Sequence, residues 1–443
     1  MIKNKLTKEI TNEDAKKIIY NVFAYMLFTI PLIPEVIGFG VYSLKNTLFN
    51  ILVIFTAILL FIFSYKDKVK LNIFEKIIGI YLVLVTVSCF LTKYGVVNTI
   101  LGLNGRGEGL ITIYSYVITF IIFLRGYDKM KNSLRYGIVI ASILSIYGLL
   151  QALLPSGTNL YIVPDITGLY AKGTMKNPNM FSSYICIFLP MLSYCYISGK
   201  KNLSIISACL MCGALIVSKT LGGYLTCLGM LFVIIIYSVI TSKEKRKSVL
   251  RCLILSLLFI LIFIGLDFLK EGAYSNEAKA TRVEIEKLKE NDKTFGTGRL
   301  EIWKKGLKII KNYPMFGVGL DNMAIEFETN LEKYIDNEDT DILYKYRVDK
   351  AHMEYLQVAL STGVPSLIVY LVFHAVIIFS LLKVVLNNKE KEENIVNTMI
   401  LIAILSYIIQ SLANFSVVQV APCIWAILGM GANITLKKEN VIS

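Results

Sequence analysis

The chain has 443 residues, 55% of them hydrophobic and 18% charged, and its mean hydropathy is +0.61. That balance is too apolar for an ordinary soluble domain and identifies a polytopic membrane protein. A net charge of +14 does not indicate a nucleic-acid partner: residues 270–350 hold 15 Lys and Arg against 16 Asp and Glu, so the basic excess lies in connections between apolar runs rather than on a soluble basic face.

Crossing a hydrocarbon core of roughly 30 Å takes about 20 apolar residues. The apolar windows predict about twelve spans, near 18–38, 46–64, 73–91, 109–124, 136–154, 179–198, 203–219, 221–240, 249–269, 364–386, 394–412 and 417–436. The apolar run after the polar first residues has no small-residue cleavage site and is expected to stay as a span. Lys66, Lys68 and Lys70, then Arg125 to Arg135, Lys200 and Lys201, Lys243 to Lys247, Lys389 and Lys391, and Lys437 and Lys438 all fall on the side of the N-terminus. By the positive-inside rule that side is the cytoplasm. The expectation is an all-α protein of the cytoplasmic membrane with both termini inside. It divides into a membrane bundle over 1–269, a large extracytoplasmic loop over 270–363 and a second bundle over 364–443.

The eight cysteines all lie in apolar segments, and the Cys209-Leu-Met-Cys212 spacing has no further ligands beside it, so neither a disulfide framework nor a metal site is expected. On the expected outer face the basic residues outside the large loop are Lys45, Lys93, Arg106, Lys172, Lys176 and Lys219. Lys172 and Lys176 flank Gly173 and together suit an anionic group.

The large loop opens with dense alternating charge over 276–293, which predicts a solvated helix. Beyond it, Leu300, Trp303, Leu307 and Ile310 recur at helical spacing, with Lys304, Lys305, Lys308 and Lys311 on another face. This predicts an amphipathic helix on the membrane interface, capped by Thr297, with Trp303 at headgroup level and Pro314 ending it. Arg299 in the first turn opposes the helix dipole, a position that makes sense beside a bound anion.

Two histidines are present. His374 lies within the tenth expected span, where a helix-to-helix hydrogen bond is the ordinary explanation. His352 stands where the loop meets the membrane, within reach of water and of a lipid-borne substrate, and its ordinary pKa suits general-base work. No phosphate-binding G-x-x-x-x-G-K-[ST] loop is present, and no inverted repeat or midplane carboxylate supports a secondary transporter.

Gly298-Arg299, Trp303, Pro314 with Gly317-Val318-Gly319, and Ala351-His352 with Leu356 and Gly363 resemble the signature of the O-antigen ligase and polymerase family. Lys172 to Asn179, with Asn177-Pro178-Asn179, resembles that family's G-x-x-x-N-P-N element, and Ser218 to Gly223 its S-x-S-R-G-A element. Leu221 stands where many members carry arginine, and Met353 where asparagine often follows the histidine. The resemblance implies a GT-C-type membrane glycosyltransferase that uses a polyprenyl-diphosphate-linked oligosaccharide donor and a glycan acceptor, without an obligatory metal or other cofactor. His352 would be the general base, and Arg299, Lys172, Lys176 and Lys219 would hold the diphosphate. Asn177, Pro178, Asn179, Gly317 and Gly319 would be structural. Polymerisation of a surface polysaccharide is favoured, with polysaccharide-assembly partners; transfer of finished glycan to a lipid or protein is the alternative. A lipid-linked saccharide flippase and an export-complex scaffold are the rivals from other classes.

Overall fold

The computed structural model describes residues 11–442 apart from 36–42, 69, 104, 131, 155–169, 176, 200–202, 242–243, 291–294, 335–346 and 388–390. Lys176, and most of the expected 155–178 loop, therefore lie outside the described residues. The protein is an all-α polytopic membrane protein. Its first ten helices are α1 (Asn12–Thr29), α2 (Leu44–Ser64), α3 (Ile73–Leu91), a short α4 (Val96–Leu101), α5 (Leu110–Gly126), α6 (Ser133–Leu153), α7 (Pro178–Ile197), α8 (Leu203–Val217), α9 (Leu221–Thr241) and α10 (Lys245–Leu269). The polar loop follows as α11 (Ala273–Lys289), α12 (Phe295–Asn312), α13 (Met323–Thr329), α14 (Leu331–Tyr334) and α15 (Glu354–Thr362), and the chain closes with α16 (Val364–Asn387), α17 (Lys391–Gln410) and α18 (Ala421–Ile442).

Each of the twelve apolar windows falls on a helix. Among the described residues, nine of these helices are long and apolar enough to cross a membrane. The other three are α8, which is short, α1, which carries Glu13, Asp14, Lys16 and Lys17 in its first turns, and α18, which ends in Lys437, Lys438 and Glu439. The first window is displaced: a Thr11–Asp14 capping box starts α1 early, and a short 3-10 turn with Pro31 ends it. Lys16 pairs with Asp67 at 2.6 Å, Lys129 with Glu13 at 2.8 Å, Arg125 with Glu75 at 2.5 Å and Lys437 with Asp128 at 3.5 Å. Each pair has at least one solvent-exposed or half-buried member, while Lys16 and Glu75 are themselves buried; together the pairs gather these basic connections on one face of the bundle.

Helix α7 is the hub, with 94% of its span buried, as expected for a helix apolar on every side. The last helix returns to the first half of the chain: a Cβ placed on Gly429 would stand 2.6 Å from the Phe120 carbonyl oxygen of α5. Trp425 of α18 stacks on Tyr116 and Phe373. His374 hydrogen-bonds through Nδ1 to the Tyr370 carbonyl one turn earlier, at 2.9 Å, so its partner is its own helix rather than a neighbour.

The polar loop has its own small core of Ile302, Ile309, Val318, Phe327, Tyr334 and Leu360. It is fastened to the end of α3, where Ser88 Oγ donates to the carbonyls of Phe316 (2.5 Å) and Ser361 (3.0 Å), and Thr92 Oγ1 to that of Val318 (2.8 Å). Gly317, at φ +62°, lies so close to α15 that a Cβ there would stand 2.4 Å from the Leu360 carbonyl oxygen.

Helix α12 differs from its expected register. Ile302, Lys305 and Ile309 are buried and Leu307 is exposed. The reason is Gly306, whose lack of a side chain lets α15 approach, so that Leu356 and Leu360 seat against that face. Trp303 Nε1 donates to the Ala351 carbonyl at 2.9 Å, which ties the indole to the turn before His352. Thr297 lies inside α12 and is not its cap; Gly298, at φ +83°, interrupts the first turn just before Arg299.

Candidate functional site

His352 sits in the turn before α15 with φ +51°, a left-handed conformation that costs a non-glycine residue roughly 1–2 kcal/mol. The turn is held from both sides: Gln357 Oε1 accepts from the Ala351 amide at 2.8 Å, and the Ser411 carbonyl accepts from that of Glu354 at 3.0 Å. Met353 takes the N-cap position of α15 without a side-chain cap, the bond an asparagine there would supply. The half-buried imidazole packs edge to face against Phe415, with ring centres 5.2 Å apart. Burial, and then the charges of Arg299 and Arg106, push its pKa down to about 4, with Asp349 opposing. At neutral pH the ring is therefore uncharged and able to accept a proton.

Arg106, seen in the sequence only as an outer basic residue, belongs to this cluster. Its Nε and Nη2 donate to the two oxygens of Asp349 at 2.6 and 3.0 Å, and its guanidinium lies 5.0 Å from the centre of the Phe415 ring. Burial opposes ionisation of Asp349, but the guanidinium outweighs it and holds the carboxyl below its ordinary value. Arg299 is half-buried, and burial lowers its pKa. Its Nη1 donates to the Ala413 carbonyl at 2.8 Å. Among the described residues no carboxylate pairs with Arg299, which leaves most of its donors for an anion.

These contacts share one segment, residues 411–420 between α17 and α18. Ala413 accepts from Arg299, and Phe415 touches His352 and Arg106. The Ser416 amide donates to Glu354, and that of Val418 to Glu108 Oε1 at 3.0 Å. Asn414 Nδ2 donates to Ser183 Oγ at 2.6 Å and to the Asn179 carbonyl at 3.1 Å. That last pair brings in the Asn-Pro-Asn element. Asn177 is the N-cap of α7, its side chain accepting from the Asn179 amide at 2.7 Å, and Pro178 occupies the first turn, where its missing N–H costs nothing. The start of α9 adjoins the same segment, since a Cβ on Gly222 would stand 3.4 Å from that of Ala413. Leu221 opens that helix.

Lys172 and Lys219 lie on adjoining turns, joined by the Ala171 amide donating to the Val217 carbonyl at 3.2 Å. Lys172 is buried, with Gln151 Oε1 accepting from its amide at 3.2 Å. The Lys219 ammonium lies over the rings of Tyr170 and Tyr274, at 5.6 and 5.4 Å from their centres. Gly317 and Gly319 sit behind His352: the amides of Val318 and Gly319 each donate at 2.9 Å to α15, to Leu360 and Ser361.

Beside the cluster is a small, partly open cavity of about 60 Å³, lined by Glu108, Asp321, Lys350, Glu354, Tyr116 and Tyr370 among others. Asp321 binds the Lys350 ammonium and accepts from the amides of Arg106 (2.9 Å) and Glu108 (2.8 Å). Burial opposes the charge on Lys350, but Asp321 and Glu108 outweigh it and raise its pKa. Burial pushes the Glu108 carboxyl up to about 8, against the pull of Lys350. This ion cluster fixes the 105–109 loop and with it Arg106.

Sequence reading missed the 411–420 segment because it carries no charge and separates two apolar runs by only a few residues. The signal available was its composition: Gln410, Ser411, Asn414, Ser416 and Gln419 put five hydrogen-bonding side chains within ten residues.

Residues 206–371 match the family model described as O-antigen ligase. No curated protein matches the chain. The matched region runs from α8 into α16 and includes Arg299 and His352. It supports a likeness to the O-antigen ligase and polymerase family.

Proposed function

We propose that this chain, which carries an O-antigen ligase family match over 206–371, transfers glycan from a polyprenyl-diphosphate donor to a glycan acceptor on the outer face of the cytoplasmic membrane. The observation that carries the reading is the meeting of Arg299 and His352 on one segment: the arginine is bonded to Ala413 and the histidine packs on Phe415, two residues further on.

In the proposed step an acceptor hydroxyl oxygen attacks the anomeric carbon of the donor. The bond from that carbon to the diphosphate oxygen breaks, and the polyprenyl diphosphate leaves with the electron pair. The hydroxyl proton passes to neutral His352, a type of assistance worth typically 10²- to 10⁴-fold. Arg299 faces the charge that grows on the leaving diphosphate and lowers the barrier by preorganised attraction. Lys172 and Lys219 serve the same anion from the adjoining turns.

The donor also tunes the base. Arg299 depresses the basicity of His352 in the free protein, and a bound diphosphate offsets that positive charge, so His352 becomes a stronger base when the donor is in place. Net acceptor extension makes the protein a surface-polysaccharide polymerase; the same chemistry with a lipid or protein acceptor makes it a ligase. Incubation of the purified protein with lipid-linked repeat units, followed by sizing of the glycan, separates the two. Glycan chains longer than the donor unit indicate polymerisation.

A further inference from the structure

Glu354 stands two residues after His352, in the first turn of α15, where the helix dipole favours a carboxylate. It is buried, and it is bonded to the 411–420 segment twice. Its amide donates to the Ser411 carbonyl at 3.0 Å, and its Oε2 accepts from the Ser416 amide. Glu354 Oε1 accepts from the Tyr370 hydroxyl of α16 at 3.1 Å, which fixes the carboxylate between that helix and the segment.

The two bonds close around a short arc. Between Ser411 and Ser416 lie Ala413, whose carbonyl accepts from Arg299, and Phe415, whose ring meets His352 and Arg106. As far as Ala413 the arc follows the end of α17, with the amides of Leu412 and Ala413 donating to Ile409 and Gln410 at 3.1 Å each. Beyond it the main chain takes its course from side chains: the Phe415 amide donates to Asn414 Oδ1 at 3.0 Å and the Ser416 amide to Glu354. The Ser416 hydroxyl meets that of Tyr407. One residue therefore pins both ends of the arc that carries the arginine's anchor and the histidine's packing partner.

We infer that Glu354 is a positioning residue of the site: by bonding Ser411 and Ser416 it sets the course of the arc between them, and with it the placement of Arg299 relative to His352. The inference rests on the transfer reading for its catalytic meaning, but the placement is measurable on the histidine itself. The carboxylate serves as an acceptor of two bonds. A glutamine in its place still offers an oxygen to the Ser416 amide, and its NH₂ can donate to the Tyr370 oxygen once that hydroxyl turns. A leucine keeps the main-chain bond to Ser411 and loses the Ser416 end of the arc, next to Phe415.

The test is the rate at which diethyl pyrocarbonate labels His352 in the full-length protein in nanodiscs, followed across pH by mass spectrometry of the peptide that carries it, with the His374 peptide reporting unfolding. The reagent takes the neutral ring, so the midpoint of the profile is the pKa of His352. Wild type should label slowly, with a midpoint near 4. In Glu354→Leu the cover of Phe415 loosens, and burial, Arg299 and Arg106, which lower that pKa against Asp349, act less on the ring. The midpoint should rise toward the ordinary 6.5 and the labelling rate severalfold, while Glu354→Gln keeps the wild-type profile. In the transfer assay kcat of Glu354→Leu should fall by up to about 100-fold, and Glu354→Gln should recover most of it. A wild-type profile in Glu354→Leu overturns the inference, as does a Glu354→Gln profile shifted as far as that of Glu354→Leu, which would assign the effect to the charge and not to the bonds. If Glu354→Leu exposes His374 to the label, Glu354→Asp, whose carboxylate falls one methylene short of the Ser416 amide, is read in its place with the same outcomes. Labelling needs no donor: the expected profiles without transfer by wild type would remove the transfer reading and keep the positioning, and transfer with unshifted profiles would do the reverse.

Discussion

Arg106 and Asp349, the latter three residues before His352, form a two-point ion pair, Nε to Oδ2 at 2.6 Å and Nη2 to Oδ1 at 3.0 Å. The pair joins the loop ahead of α5 to the turn that carries the histidine, and its two members act on the imidazole with opposite sign. Arg106 lowers its pKa and Asp349 raises it. Replacing Arg106 by Gln should therefore move the acid limb of kcat/KM to higher pH, and Asp349→Asn should move it lower. Both should reduce kcat, by up to about 100-fold if the histidine is displaced by about 1 Å. pH profiles of the two variants check this; shifts in the same direction would mean that the pair acts only on stability.

The wild-type pH profile carries its own prediction. His352 has a folded pKa of about 4 against an ordinary 6.5. Between those values the unfolded chain binds more protons than the folded one, so the stability tied to the neutral ring is complete above pH 6.5 and is lost as pH falls toward 4. The acid limb of kcat/KM, which reports the free enzyme, should lie near pH 4. The acid limb of kcat should lie higher, because the bound diphosphate offsets Arg299. Coincident limbs near 6.5 would contradict the electrostatic account.

Glu108 provides a stability test with the opposite sign. Its carboxyl has a folded pKa of about 8 against an ordinary 4.5. The stability that the protonated form contributes is complete below pH 4.5 and is lost as pH rises through 8. In Glu108→Gln the amide oxygen can still accept from the Val418 amide, and the NH₂ can donate to Tyr116 after the hydroxyl turns. Thermal unfolding midpoints should favour the variant at pH 8 over pH 5, relative to wild type. A constant difference would show that Glu108 does not titrate in this range.

Gly317 tests the brace behind the histidine. Its φ of +62° and the 2.4 Å approach to the Leu360 oxygen leave no room for a methyl group. Gly317→Ala should destabilise the protein by at least about 1 kcal/mol from backbone conformation alone, with a further loss from the displaced α15. A thermal midpoint equal to wild type would show that the turn relaxes freely.

The membrane helices were legible because hydropathy is a local property: a long apolar run makes a helix fit to cross a membrane whatever surrounds it. His352 and Arg299 stood out as candidates because a polar interruption between apolar runs leaves few residues able to do chemistry. The buried face of α12 was not, since the stripe of Leu300, Trp303, Leu307 and Ile310 looks amphipathic, while the close approach at Gly306 decides which face packs. Arg106 was hidden in the same way. Its partner lies 243 residues away in the chain, and only the fold brings the 105–109 loop beside Asp349. Residues 411–420 carry no charge and no regular period, so their part in joining Arg299 to His352 is visible only in three dimensions.

The most direct measurement is transfer by the purified protein, in defined lipid, from a polyprenyl-diphosphate-linked repeat unit, with His352→Ala and Arg299→Ala run beside wild type. Glycan product and released polyprenyl diphosphate are followed together. Wild type should yield both in equal amounts. His352→Ala should lower the rate by about 10²- to 10⁴-fold while still binding the donor, and Arg299→Ala should weaken donor binding and slow release. Unchanged glycan product from His352→Ala would contradict the central claim.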